Sequence, residues 1–136
     1  MSSRLFINLI KRQYSYVYFF IAVCLGLVMG MIHNFAFTSV HAQINLLGWV
    51  SMEIFGIIYS IYPRAAESGL AQTHFWLHNS GVPLMQVALF IQILTGNQAI
   101  IIGSIMVVVG TLLFLINVFK KNNANQSIVM NKDITM

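Results

Sequence analysis

The chain has 136 residues, of which 58% are apolar and only 7% are Asp, Glu, Lys or Arg, against roughly 25% charged in a soluble domain. A surface of that composition is excluded from water, and 136 residues leave room for one domain. The formal net charge of +4 does not point to nucleic acid, because the seven basic residues are scattered among hydrophobic runs and form no basic stripe with interleaved aromatics.

In chain order, four stretches reach the roughly 20 residues that a helix needs to cross a hydrocarbon core: residues 14–37, 43–62, 73–94 and 99–119. This predicts an all-α membrane protein, a four-helix up-down-up-down bundle forming a single transmembrane domain. The first stretch is too long for a signal-peptide core and no small-residue cleavage site follows it, so it reads as a retained anchor. Residues 4–12 mix cations with apolar side chains and either lie along the inner interface or extend the first helix. Cys24 sits alone inside an apolar run and reads as a small hydrophobe. Gly26 with Gly30, and Gly56 with Ser60, are small-residue pairs that allow helices to approach closely, within one chain or between copies.

Orientation follows from the cations. Arg4, Lys11 and Arg12 precede the first stretch, Arg64 falls between the second and third, and Lys120, Lys121 and Lys132 follow the fourth. With four crossings all of them share one face, which the positive-inside rule makes cytoplasmic. Both termini are therefore expected on the cytoplasmic side of a bacterial inner membrane. Tyr14, Tyr16, Tyr18, Tyr59 and Tyr62 gather towards the same side, as an aromatic belt does. The connections are read as 38–42 outside, 63–72 inside and 95–98 outside, the last a tight turn around Gly96 and Asn97. Residues 120–136 are polar and are expected to form a disordered cytoplasmic tail.

Polar groups inside a bilayer are costly, so His33, His41, Gln43, Asn45, Glu53, His74, His78 and Asn79 are the candidates for chemistry. His33 and His41 fall near the outer ends of adjacent stretches, and neutral imidazole is a nitrogen ligand for haem iron, copper and zinc. His74 and His78, four apart, project from one face of the third helix near its inner end. That is the spacing of a metal pair, although a zinc site needs a third or fourth ligand. Glu53, near the middle of the second stretch with no Lys or Arg at its depth, is read as protonated, either in a hydrogen bond across the bundle or in a proton relay.

The residues from Val40 onward carry more: Val-His-Ala-Gln-Ile-Asn-Leu-Leu-Gly-Trp-Val-Ser-Met over 40–52, then Phe55, Gly56 and Tyr59, Tyr62-Pro63-Arg64, and Thr-His-Phe-Trp-Leu over 73–77. This pattern resembles the late helices of the catalytic subunit of cbb3-type cytochrome c oxidases, in the haem-copper oxidase and nitric oxide reductase superfamily. There a helix reads His-x-His followed by Leu-Gly-Trp-Val, with Gly, Tyr and Pro-Arg at its inner end, and the next helix opens Thr-His-Phe-Trp-Leu. The resemblance implies that His41 corresponds to the histidine that ligates the high-spin haem. Gln43 stands where the family has the histidine of a second, low-spin haem, so only one haem is implied. Gly48, Trp49, Tyr59 and Pro63 match as structural residues. The family takes its copper ligands and its other axial histidine from earlier helices, so a complete oxidase is not implied and copper is not expected.

The reading that results is a small b-type haem protein for electron transfer, gas binding or haem handling. Its candidate cofactor-binding residues are His41, His33, Gln43, Asn45 and Trp49, its candidate metal ligands His41, His33, His78 and His74, and Glu53 its candidate proton carrier. The expected partners are the lipid bilayer and either a second copy or the subunits of a respiratory complex. Two rivals stand beside it: an interaction or assembly protein that kept the scaffold without its cofactor, and a metal or proton transporter built on His74, His78 and Glu53.

Overall fold

The computed structural model describes the backbone of residues 3–96 and 101–134, and the side chains of 13–96 and 101–120. Helix α1 spans Ser3–Met31, so residues 4–12 extend the first helix. A second rod runs over Thr38–Ile61. It is built from α2 (Thr38–Gln43), a π-helical segment (Ile44–Val50) and α3 (Ser51–Ile61). A short α4 (Pro63–Ala66) leads to α5 (Gly69–Thr95), and α6 covers Ile102–Ile134. No strand occurs among the described residues, and four of these helical stretches are long and apolar enough to cross a membrane.

Several boundaries differ from those predicted. The first turn occupies residues 32–37, not 38–42, because Thr38 already begins the next helix. Hydropathy alone could not place this turn, since Phe35, Ala36 and Phe37 are as apolar as the helices on either side. What marks it is His33, in the left-handed region at φ 50°, a conformation that His adopts more readily than most residues. The inner connection is shorter than 63–72: Pro63 occupies the first turn of α4, and Ser68 caps α5 by accepting the N–H of Ala71 at 3.1 Å. Gly96, at φ 72°, ends α5 with its N–H on the Gln92 carbonyl at 2.9 Å; the rest of that turn lies outside the described residues. The expected disordered tail is corrected too, since α6 continues as helix through Ile134. No Gly or Pro interrupts residues 120–134, so the local sequence carries no stop signal.

The helices associate as two pairs. In the first, α1 lies along the second rod: Gly26 and Ala22 meet His41, Tyr18 meets Gly48, and Ser15 meets Glu53. In the second, α5 and α6 come so close that a Cβ built on Gly103 would stand 2.8 Å from the Gly81 carbonyl oxygen. Buried clusters form around Ala22, Val40 and Ile44 at one end, and around Tyr59, Ala65, Ala71 and Phe114 at the other. Outward positions carry large apolar side chains such as Phe20, Ile101 and Val108, each about two-thirds exposed, as suits a surface solvated by lipid.

Candidate functional site

The four histidines fall into three settings. His33 sits exposed in the first turn rather than on a helix. The first helix therefore does not present it beside His41, as its expected depth suggested.

His41 lies in α2 with its ring over Gly26, where an added Cβ would be 2.8 Å from Cε1. Its Nδ1 donates to the Ala22 carbonyl at 2.9 Å. A carbonyl can only accept, so Nδ1 holds the proton and Nε2 the lone pair. Asn45, one turn on, donates to that Nε2 at 3.3 Å and to the His41 carbonyl at 3.0 Å. Gln43, on another face, accepts from Gln86 Nε2 of α5 at 3.1 Å. Trp49 stacks obliquely on Phe19, ring centroids 4.6 Å apart, and supports the α1 contact.

The fit of a haem to this site divides into donor and space. The donor fits: a metal-ligating imidazole commonly gives its other N–H to a backbone carbonyl, which fixes the tautomer and raises basicity. The two cavities found among the described residues do not offer the space. A cavity of about 120 Å³ beside Gln43, Met85, Gln92 and Ser104 is well below the 300–1,000 Å³ of typical ligand pockets. An open groove of about 530 Å³ on α5, along Gln72, Thr73, Trp76 and Ser80, has no histidine on its wall. A macrocycle on His41 fits in neither.

His74 and His78 are buried, and α5 aims both at the second rod. Tyr59 Oη and His74 Nδ1 are 3.2 Å apart, and Phe55 sets its edge or face against both imidazoles at centroid distances of 4.6 and 5.1 Å. His78 Nε2 donates to the Leu47 carbonyl at 2.9 Å. This bond depends on the π-helical segment. The Ser51 N–H reaches back five residues to Leu46, skipping the Leu47 carbonyl it would take in an α-helix. His78 supplies a donor to Leu47 in its place.

Glu53 accepts from the Ser15 hydroxyl of α1, so the hydrogen bond expected of it is made within the first pair. Tyr18 reaches across to Asn79, its hydroxyl 3.2 Å from the carbonyl oxygen and 3.3 Å from Oδ1. Among the described residues no three of His, Cys, Asp or Glu converge on one point.

Three contributors were not singled out from the sequence. Gln86 is buried with its Oε1 lacking a partner. Asn117 is fully buried, donates to the Ala65 carbonyl at 2.8 Å and accepts from Ser68 at 2.7 Å. Ser15 is the third. All three are polar residues inside apolar stretches, the same signal that drew attention to Glu53 and the histidines. The π-helical segment has no comparable signature in the sequence. Comparison with known protein families, with curated proteins and with solved structures returns no match to this chain.

Proposed function

We propose that the chain is a small b-type haem protein of a bacterial inner membrane, with His41 as the axial ligand. It threads up-down-up-down with the N-terminus, the inner connection and the C-terminus on the cytoplasmic side, where the seven cations would gather. The observation that carries the proposal is the fixed tautomer of His41: Nδ1–H on the Ala22 carbonyl leaves Nε2 as a basic nitrogen. The likeness of residues 40–77 to the late oxidase helices supports the same assignment.

In this reading His41 Nε2 would hold the iron, and Asn45 would keep its bond to the His41 carbonyl. Gly26 keeps the imidazole flat against α1 and sets its orientation. Gln43, tied to Gln86, takes no part in ligation. On the same reading a macrocycle on the half-buried His41 would lie at an interface with a second copy or a respiratory subunit, and the bound haem would supply electron transfer or gas binding there. Purification in detergent after expression with ample haem should give a Soret band that shifts on reduction and is lost in His41→Ala but kept in His74→Ala. A colourless protein would sink the proposal.

A second reading is favoured by a specific observation. His41, His74 and His78 all bond within the chain, and neither described cavity holds a macrocycle. An assembly protein that kept the scaffold would be colourless and would co-purify with a respiratory complex.

A further inference from the structure

The buried pair on α5 carries an inference independent of haem. His78 donates its Nε2 proton to Leu47, so its Nδ1 holds a lone pair. That nitrogen is buried and receives no hydrogen bond, in a residue only 1% exposed. An acceptor left unsatisfied inside a bundle is costly unless something positive reaches it.

The ring of His74, one turn away, has its centroid 5.9 Å from that of His78. A metal ion bound at about 2.0 Å from an imidazole nitrogen lies about 3.2 Å from the ring centroid. Two such arms spanning 5.9 Å would meet at an angle of about 130°, between the tetrahedral and linear limits. The hydroxyl of Tyr59 lies beside His74. Since no further His, Cys, Asp or Glu joins the pair among the described residues, a tetrahedral zinc site is not formed. A divalent ion would also bring two charges into an apolar interior with no anion to offset them. A monovalent, imidazole-seeking ion of low coordination number avoids both problems, and the rings of Phe55 and Phe114 beside His74 favour a cation.

We infer that His74 and His78 form a low-coordinate site for a single cuprous ion, with Tyr59 holding the His74 ring through its Nδ1. The site would lie in the seam between the helix pairs, apart from His41, and is unlike the oxidase copper centre, whose ligands come from other helices. Binding is reversible coordination with no change of oxidation state.

The test uses the full chain in detergent, metal-free and anaerobic, titrated with cuprous ion held by bicinchoninate. The expected result is one equivalent withdrawn from the chelator, with affinity unchanged in His41→Ala. Binding should weaken about 100-fold or more in His74→Asn and His78→Gln, where one nitrogen ligand is gone; the glutamine can still donate to the Leu47 carbonyl. X-ray absorption on the wild-type complex should show a two-coordinate shell of nitrogen. A sulfur shell would place copper on the methionines and overturn the inference. So would equal uptake by wild type and His78→Gln, or loss of binding in His41→Ala. If the variants do not fold, as judged by circular dichroism, the wild-type absorption spectrum decides alone.

Discussion

The contact between α5 and α6 and the seam between the two helix pairs solve the same problem by opposite means. In lipid no apolar surface is gained by bringing helices together, so they must associate through close packing or polar bonds. α5 and α6 use packing: Gly81, Gly103 and Gly110 remove side chains where the backbones touch, and a Cβ on Gly103 would lie 2.9 Å from the Met85 Cα. The seam uses polar bonds. His78 reaches the Leu47 carbonyl, Gln86 the Gln43 amide and Tyr18 the Asn79 carbonyl, while Tyr59 and His74 meet across it. Close packing fails abruptly when an atom is added, because backbone cannot yield. A seam of separate bonds loses strength one bond at a time.

The sharpest break of this comparison is Gly103→Leu. The new side chain meets the Gly81 carbonyl and the backbone of Met85, and overpacking against atoms that cannot move costs about 3 kcal/mol or more. Unfolding in a series of detergent mixtures, followed by circular dichroism, should show a large drop in the midpoint. An unchanged midpoint would mean that α5 and α6 are not in close contact.

A smaller loss is expected at the seam. His78→Ala removes the donor to Leu47 and leaves a buried carbonyl unsatisfied in the π-helical segment, which costs about 1–3 kcal/mol. His78→Gln, which keeps an N–H donor, should recover part of that loss. Should the two variants be equally stable, the bond to Leu47 does not matter, and the π-helical segment must be held by packing of Gly48 under Tyr18.

Much of this was legible in the sequence. Span number followed from hydropathy, and the facing of His74 and His78 followed from their four-residue spacing. Two things were not. The turn at 32–37 is as apolar as its surroundings, so the boundary placed at Phe37 was late by nearly two helical turns relative to Met31. The partners of the histidines are backbone carbonyls of other helices, Ala22 and Leu47, and a carbonyl is present at every residue. Sequence can mark a donor inside a membrane, but which carbonyl it meets depends on the register and tilt of packed helices. The π-helical segment is hidden for the same reason, since its skipped carbonyl shows only when the donor from α5 is in place.

The smallest effect, and the one that most sharpens the comparison, is expected at Gln86. Its Nε2 donates to Gln43 at 3.1 Å, while its Oε1 is buried with no partner. The bond contributes about 0.6 kcal/mol, the average found for hydrogen bonds between membrane helices, and the orphan oxygen costs a comparable amount or more. Gln86→Leu removes both at nearly constant volume, so the two changes oppose each other and stability should move by less than about 0.5 kcal/mol, in either direction. Gln43→Leu alone should be worse, because it strands the Gln86 amide as well as its oxygen. The double variant should then be more stable than Gln43→Leu and close to Gln86→Leu. That order, read from the same unfolding midpoints, would show that the cost lies in stranding the buried Gln86 amide, not in losing the bond itself. The α5–α6 contact has no such recovery, since no second substitution removes a backbone atom.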